Sequence, residues 1–590
     1  MALNEVEVVE TLKRWLELGP TPEQPSGARS PIEDSAYQKG VVWCLALARD
    51  TQAASVIGDF GIACLRKIPM LGAVSQKVGF ACVQALGEMG SNEAVSQLTR
   101  LRSKVKYSVA RRLIEKSLRE AAERAGMTVD DLEDLAVPAY SLDAVGKAEI
   151  AVGNAKVLVG LTPGGDAAVI WKNDAGKPVK SVPAPIKKAF PKEVKAVSAF
   201  AKELGGAYLA QRYRLEESFI NMRTMSLAHW RKYFVEHSLL SLLGRRLIWV
   251  LSNEQGWECS GVWCDGRICG SGGEAIDVSA ASKVRLWHPL ASEAQEVRRW
   301  RERIFTLKVR QPFRQAFREF YEVTDEERQT KMYSNRFAGR AMRQHQFSSL
   351  CRARGWKYRL MGAGFDGFNV PTKVLTSWNM HAEFYVDLPS DRDPAVAESA
   401  LGQQSGSGIN LFLGSDQIRF YRERKEISVD EVPAIVYSEV MRDIDFFTSV
   451  AGSGEDETWA DQGDRGTGVI GSQTDVDGLS AMLALRIEIL SRVLPLTAVA
   501  DRSKIEKSWV EVRGQLGTYR IHISFGGVAR MTDAGARPLS IPQQLLEAVD
   551  IDVLAFPIEL DHRTEMILRK VHVLADDWKI DSEELIRQLM

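Results

Sequence analysis

The sequence predicts a multidomain α+β protein, and three observations lead to that fold class. The first is length, because 590 residues exceed what one hydrophobic core usually supports. The second is helical periodicity between residues 37 and 125, where apolar residues recur every three or four positions. The third is a change past Pro138 to short apolar runs and turn residues, interspersed with helical runs. We therefore expect a helical N-terminal segment followed by a small strand-rich unit and a large mixed body.

These changes of pattern divide the chain into four expected segments. They are HEAT-like helical repeats at 1–135, a small strand-rich unit at 136–186, a first part of the body with helices, hairpins and a basic segment at 187–400, and a C-terminal α+β part at 401–590. Two Gly-rich loops, Gly402 to Gly408 and the acidic Gly452 to Gly478, are expected to be exposed.

The N-terminal segment carries apolar stripes on successive helices. Val42 and Leu45 belong to one stripe, and Val78, Cys82 and Leu86 belong to another. Each stripe must be buried against neighbouring helices, and several such helices with short connections form a stack of the HEAT or armadillo type. Such a stack commonly presents a surface to a protein partner, so we expect one here.

In the body, short apolar runs bounded by turn residues predict strands, and longer periodic runs predict helices. A long helical region is expected from Lys187 to about Leu251. The predicted strands are Lys156 to Leu161, Ala167 to Trp171, Leu247 to Cys269 with a turn at Cys264-Asp265-Gly266, Lys357 to Met361, Ala382 to Leu388, Ile409 to Phe412, Ile418 to Tyr421, Tyr519 to Phe525 and Val553 to Phe556. The later predicted helices are Pro312 to Tyr321, Arg336 to Arg354, Ala434 to Val450 and Leu479 to Leu494.

Composition and cysteine usage favour a cytoplasmic protein. The formal net charge of -1 implies no electrostatic partner for the whole molecule. The acidic N-terminus does not resemble a secretory signal, and no apolar run approaches the roughly 20 residues needed to span a bilayer. Seven cysteines do not form the paired pattern of a secreted disulfide scaffold, so we expect reduced thiols and no membrane partner.

The motifs for common cofactors do not assemble in this sequence. Gly362 to Gly367 spells G-x-G-x-x-G, but an extended segment follows where a dinucleotide loop must open into a helix, so a Gly-rich turn is favoured. No phosphate-binding G-x-x-x-x-G-K-[ST] motif occurs. Cys259, Cys264 and Cys269 are spaced too widely for a typical zinc site, and a hairpin with small apolar thiols is favoured over zinc. We predict no cofactor and no metal.

A basic segment from Glu293 to Leu360 holds 17 Lys or Arg against 8 Asp or Glu. On the predicted helices, Arg314 and Arg318 are one turn apart, and Arg340 and Arg343 share one face. Arginines in register bind phosphates bidentately, so these four form the candidate anion-binding site for a ligand or nucleic acid. The alternative is that they pair with acidic neighbours such as Glu319 or with the acidic loop after Gly452.

A second cluster is a candidate for catalysis, as is the pair Arg318 and Glu319. Glu439, Arg442 and Asp443 lie on one face of a predicted helix. Two carboxylates beside a guanidinium serve as a general acid and base, or form a structural network of ion pairs. Structural pairing is the favoured interpretation, and no catalytic residue is assigned.

Several runs together resemble the bacterial family of domain of unknown function 4132. This family includes a regulator of molybdate metabolism and often carries a WGR domain, and this chain shows no WGR segment. The resemblance implies kinship and fold, and no mechanism. The matching runs are Ala122 to Thr128 with Asp131 to Leu135, Gln311 to Tyr321, Arg354-Gly355-Trp356, Ser438 to Asp443, Val512-Arg513-Gly514 with Tyr519 to His522, and Lys570 to Ile580.

The resulting hypothesis is an interaction or regulatory protein whose helical stack binds a partner and whose α+β body binds an anionic ligand. Two alternatives stay open. One is an unrecognised enzyme acting on a nucleotide or a modified macromolecule, and the other is direct binding of nucleic acid.

Overall fold

A computed structural model of the chain shows the arrangement of most of its residues. The residues described are 5–20, 32–48, 51–68, 72–105, 107–143, 145–153, 155–162, 164–172, 177–179, 181–361, 369–387, 412–451, 481–523, 526–533, 535–551, 556–580 and 582–589. Among these residues no helix is long and apolar enough to cross a bilayer. The Gly362 to Gly367 motif and the two predicted Gly-rich loops lie outside them.

The chain divides into two compact units. The first comprises Met1–Thr162, Asp166–Tyr208 and Met225–Gly244, and the second comprises Pro163–Gly165, Leu209–Thr224 and Arg245–Met590. The mixed α+β class is confirmed, and the four-segment division stays a prediction.

The first unit begins with helices around an apolar core. The helices are α1 (Glu5–Glu17), α2 (Ile32–Leu47), α3 (Thr51–Cys64), α4 (Gln76–Met89), α5 (Asn92–Lys104), α6 (Ser108–Ala125) and α7 (Val129–Leu135), with a short hairpin of β1 (Lys67–Ile68) and β2 (Gly72–Ala73). Helix α2 packs against α4, α3 against α5, and α4 against α6. Leu45, Val78 and Leu86 are wholly buried in this core, as their periodic spacing predicted.

A small antiparallel sheet follows in the first unit. It contains β3 (Lys147–Val152), β4 (Ala155–Leu161), β5 (Ala167–Lys172) and β6 (Pro178–Val179) in sequence order. Val157 faces Trp171 across the middle of the sheet, and both side chains are buried. The next elements are α8 (Ala184–Ala189), α9 (Pro191–Asn221), β7 (Thr224–Ser226), α10 (Leu227–Trp230), a π-helical turn (Arg231–Glu236) and α11 (Ser241–Gly244).

The second unit opens with an antiparallel sheet in which strands lie in the order β10-β9-β8-β11. The strands are β8 (Ile248–Ser252), β9 (Glu258–Cys264), β10 (Arg267–Cys269) and β11 (Lys283–Leu286). The predicted turn is a two-residue hairpin in which Asp265 and Gly266 both have positive φ, as such turns require. Cys259 and Cys264 are five positions apart on β9 and face opposite sides of the sheet, so the three thiols do not converge.

A second sheet lies in the middle of this unit. Its strands are β12 (Tyr333–Ser334), β13 (Ala341–Arg343), β14 (Thr372–Leu375), β15 (Met380–Asp387), β16 (Phe412–Arg422) and β17 (Lys425–Ile427). The helices of the same stretch of chain are α12 (Ala294–Thr306), α13 (Asp325–Thr330), α14 (Gln344–Ala353) and α15 (Ala434–Val450). Strands β12, β13, β15 and β17 all pair with β16. Phe347, Phe384, Phe420 and Phe447 fill the core of this sheet and its helices.

The C-terminal part is a five-stranded antiparallel meander covered by helices. Its elements are α16 (Ala481–Val493), β18 (Ser503–Glu506), β19 (Trp509–Arg513), β20 (Thr518–His522), β21 (Val528–Thr532), β22 (Gly535–Leu539), α17 (Gln543–Glu547), α18 (His562–Ala575) and α19 (Glu583–Leu589). Helix α18 packs on β19 and β20, so that Val510 and Ile521 are wholly buried. Of the predicted strand Val553 to Phe556, only Phe556 is described.

Of two predicted helices in the basic segment, one is wrong and the other is confirmed only from Gln344 onward. Residues 312–321 form bends and turns, because the Gln315 amide is held by tertiary hydrogen bonds. Its nitrogen donates to the carbonyls of Ile248 and Trp287, and its oxygen accepts from the Ile248 amide. Residues 336–343 form a turn and then strand β13, and α14 begins only at Gln344. The predicted strand at Lys357 to Met361 is reduced to one bridge, at Lys357.

Candidate functional site

The second unit contains a cavity of about 170 Å³ that is rich in guanidinium groups, and we call it the arginine-lined cavity. Its charged lining comes from α9, the irregular segment 311–324, the residue after α14, helices α15 and α16, and the start of α18. The lining cations are Arg212, Arg314, Arg354, Arg442, Arg486 and Arg563, and the lining carboxylates are Glu216, Glu319, Asp445, Glu559 and Asp561.

Arg314 is the sequence-predicted residue that lies at this cavity. Its side chain is buried, and Nε donates to the carbonyl of Glu559 at 2.7 Å. Nη1 pairs with Glu319 and lies 3.5 Å from Oδ2 of Asp561. Nη2 is also buried and has no hydrogen-bond partner among the residues that the structure describes. Nε and Nη1 of this guanidinium therefore have hydrogen-bond partners, whereas Nη2 has none among the described residues. A buried donor without a partner costs free energy.

Arg318 lies behind the cavity in a closed ion pair. Only 1% of the residue is exposed, and Nε donates to Oε1 of Glu439 at 2.6 Å while Nη2 pairs with Oε2. His288 Nε2 lies 3.1 Å from the same carboxylate. Burial alone would raise the pKa of Glu439, but Arg318 and His288 outweigh burial and hold it well below its usual value. Arg318 is therefore neutralised within the chain and does not line the cavity.

Glu216 is shared by three arginines. Its Oε1 lies 3.1 Å from Arg318 Nη1, 3.3 Å from Arg442 Nη1 and 3.6 Å from Arg354 Nη1. Burial by itself would raise the pKa of Glu216, but the three guanidinium groups lower it to about 2. This carboxylate is therefore ionised at neutral pH and holds the three cations together.

The second predicted cluster is split between the cavity and the core. Arg442 lines the cavity and donates from Nε to Oε2 of Glu319 at 3.0 Å. Asp443 is buried on the other side, where it accepts from Trp356 Nε1 at 2.9 Å and Lys373 Nζ at 2.5 Å. Neither Glu439 nor Asp443 lines the cavity.

The start of α18 contributes both a carboxylate and a guanidinium to the cavity, from Asp561 and Arg563. Asp561 caps this helix by accepting from the Thr564 amide, and it also lies 3.3 Å from Nε of Arg486. Burial and the charge of Arg486 lower the pKa of Arg563 to about 10. Burial raises the pKa of Asp445, whose carboxylate accepts from the hydroxyl of Tyr321 at 2.9 Å.

The other two predicted anion ligands lie elsewhere. Arg340 and Arg343 are exposed, on the turn before β13 and at its end, and neither lines the cavity. Sequence reasoning missed Arg212, Arg486 and Arg563, because they come from segments far apart in the chain and no local pattern marks them. Arg354 stands in the run Arg354-Gly355-Trp356, which had been singled out only for its resemblance to the family.

Comparisons with known proteins identify uncharacterised relatives. A family model described as domain of unknown function (DUF4132) matches residues 176–356, and a second, domain of unknown function (DUF7737), matches residues 483–589. The chain is 25% identical over 316 residues to uncharacterized protein YehI of Escherichia coli (strain K12). That match covers 49% of this chain and 26% of YehI, so the chain spans about a quarter of its relative. No solved structure matches the chain.

Proposed function

This chain carries a DUF4132 domain over residues 176–356, which includes two of the runs that predicted the resemblance, Gln311 to Tyr321 and Arg354-Gly355-Trp356. From this premise, we propose that the second unit binds a small anion in the arginine-lined cavity. The proposal keeps the anionic ligand that the sequence predicted, but it assigns the ligand to a partly different set of residues. Arg314 remains part of it, while Arg442, Arg486 and Arg563 replace Arg318, Arg340 and Arg343.

The observation that carries this proposal is the charge balance of the lining. Six guanidinium groups face five carboxylates, and burial raises the pKa of one of those carboxylates, Asp445. A buried surplus of positive charge is costly unless an anion offsets it. Guanidinium groups bind phosphate and carboxylate in a bidentate manner, so either group fits the chemistry of the site.

The size of the cavity favours a small ligand over a nucleic acid. A volume of about 170 Å³ is below the roughly 300 Å³ at which sites for drug-sized molecules begin. It suits an inorganic phosphate, a phosphate group or a short dicarboxylate. Nucleic acid instead needs an extended basic groove that follows its backbone.

Calorimetric titration of the full chain with inorganic phosphate, pyrophosphate and succinate, at constant ionic strength, tests this proposal. We expect at least one anion to bind, and the Arg563→Gln variant to bind it at least about tenfold more weakly, a loss of about 1.4 kcal/mol. Arg343→Gln is the matched control, because Arg343 is exposed and lies outside the cavity. Absence of binding by all three anions, or an equal loss in both variants, would contradict the proposal.

We also propose that the N-terminal helices form a HEAT-like stack that binds a protein partner, which would make the chain an interaction or regulatory protein. The support is the packing of each helix from α2 to α4 against the helix two places further along, as in stacked helical hairpins. Cross-linking of the full chain in native extract, followed by mass spectrometry, tests this. Cross-links to one partner should concentrate on 32–125, and an even spread over both units would count against it.

A bacterial, cytoplasmic location is part of the same proposal. The seven cysteines are all free thiols, as expected in a reducing compartment. The relative from Escherichia coli supports a bacterial source. Fractionation of cells that produce the full chain would place it in the cytoplasm if this is right, and in the membrane or periplasmic fraction if it is wrong.

A further inference from the structure

In the first unit, three residues with metal-binding side chains meet at one point. His229 Nε2 lies 2.9 Å from Oδ2 of Asp134 and 3.6 Å from Oδ1 of Asp131. The three ligand atoms all lie within 4.8 Å of one another. His229 is 95 residues from Asp134 in the chain, so no local motif indicated this cluster and the sequence predicted no metal.

Both elements that carry these residues are anchored by side-chain caps. Asp131 and Asp134 are one turn apart on α7, whose cap Thr128 accepts from the Asp131 amide at 3.1 Å. His229 lies in α10, whose cap Ser226 accepts from the His229 amide at 3.2 Å. The backbone of each ligand-bearing turn is thus held in place before any ion binds.

The cluster is closed on one side and accessible on the other. The side chain of Asp134 is 0% exposed, while those of His229 and Asp131 are 14% and 20% exposed. Asp134 thus forms the buried base of the cluster. The two partly exposed ligands leave a route by which an ion and its remaining waters enter.

We propose that His229 Nε2, Asp131 Oδ1 and Asp134 Oδ2 bind a divalent first-row transition-metal ion such as Zn²⁺. In a tetrahedral zinc site with bonds near 2.1 Å, ligand atoms are about 3.4 Å apart, close to the 3.6 Å and 2.9 Å found here. One imidazole and two carboxylates are a donor set that such ions accept. The ion replaces the proton on Nε2. An imidazolium releases that proton and keeps the one on Nδ1, whereas a neutral ring protonated at Nε2 gives up that proton and takes one up at Nδ1, with no net release.

The test uses the full chain, stripped with a chelator and titrated with ZnCl₂ and CoCl₂. Calorimetry should show one tight equivalent of Zn²⁺, and Co²⁺ should give the visible absorption of an ion bound to protein ligands. Asp131→Asn and His229→Gln should each weaken Zn²⁺ binding at least about tenfold. The matched control is Asp130→Asn, which removes the same charge from the same helix outside the cluster and should bind as the wild type does.

Circular dichroism checks that each variant is folded, and Asp131→Asn keeps the test valid if His229→Gln does not fold, because Asp131 lies at the longer distance and is partly exposed. Failure of the wild-type chain to bind Zn²⁺ would overturn the proposal and leave a plain hydrogen bond between His229 and Asp134. Equal affinity in the wild type, Asp131→Asn and His229→Gln would also overturn it, because the ion would then be bound elsewhere.

Discussion

At the scale of single residues, the second unit is distinguished by charges that are buried and shared. Arg318 pairs with Glu439 with almost no exposure, and Glu216 contacts three guanidinium groups. Transferring such groups from water is costly, so a buried pair adds little net stability while both partners are present. Removing one partner is different, because the other is left as an uncompensated charge in the interior.

Glu439→Gln should therefore lower the free energy of unfolding of the second unit by about 3 kcal/mol, because His288 loses its buried anion and Arg318 keeps only the one that it shares, Glu216. Urea denaturation followed by fluorescence measures the change. Glu149→Gln is the control, since Glu149 and Lys156 form a largely exposed ion pair that water already screens. A similar effect for the two variants would contradict this account.

The lowered pKa of Glu216 predicts how the stability of the fold changes as the pH falls. In the folded state its pKa is about 2, below the ordinary value of 4.5. The ionised carboxylate therefore stabilises the fold above about pH 4.5, and this contribution is lost as pH falls through about 2. The gap in unfolding free energy between the wild type and Glu216→Gln should be largest near neutral pH and should narrow below pH 4.5. Chemical denaturation at a series of pH values measures it, and a gap independent of pH would refute the assignment.

At the scale of secondary-structure elements, one buried carboxylate connects the C-terminus to the last sheet. Asp577 follows α18 and is 1% exposed. It accepts from the amides of Gln515 and Leu516, at 2.8 Å and 2.7 Å, and from the hydroxyl of Tyr519 at 2.9 Å. The turn between β19 and β20 is thereby fixed to the residues after the helix.

Asp577→Ala should destabilise the second unit by about 3 kcal/mol, because the buried Tyr519 hydroxyl and two partly buried backbone amides lose a charged acceptor. Hydrogen exchange should show the amides of Gln515 and Leu516 exchanging faster. The neighbouring Asp576→Ala, which removes only partly exposed ion pairs with Arg502 and Lys579, should cost much less. Unchanged protection at 515 and 516 would rule out this role for Asp577.

Local sequence patterns predicted the elements that are stabilised by local contacts. They failed for segments whose conformation is set by contacts with distant parts of the chain. Helix α15 has the predicted bounds, Ala434–Val450, because its apolar spacing matches its buried face. The segment with Arg314 and Arg318 was predicted as a helix from similar spacing, yet the contacts of Gln315 with Ile248 and Trp287 hold it open. Tertiary hydrogen bonds outweigh helix propensity, which differs by less than about 1 kcal/mol among ordinary residues.

The chemistry of the candidate site could be predicted from the sequence, but only some of its residues could. A surplus of arginine in one segment indicated an anion site, and Arg314 does line the cavity. Arg486 and Arg563 come from the C-terminal part and carry no sequence signal of their own. Only the long-range fold brings Arg486 and Arg563 to the cavity. Counting charges within one segment of the sequence gives no information on that fold.

At the scale of the whole molecule, the chain has two compact units with separate apolar cores. Leu86→Ala, in the first core, and Ile521→Ala, in the second, should each cost about 2 to 5 kcal/mol. We expect calorimetry to resolve two unfolding transitions, each lowered by only one of these variants. A single transition lowered by both would show that the units unfold together.

The sharing of Glu216 among three arginines bears on the order in which the protein is made. Glu216 is separated by 226 residues from Arg442. Ribosomes add about 5 to 20 residues per second, so Arg442 is added at least about ten seconds after Glu216. Until then only Arg318 and Arg354 are available to offset its charge, and the place of Arg442 beside the carboxylate is left to water. Docking of this region is therefore a late event in biosynthesis, and a chain released before residue 442 would keep it open.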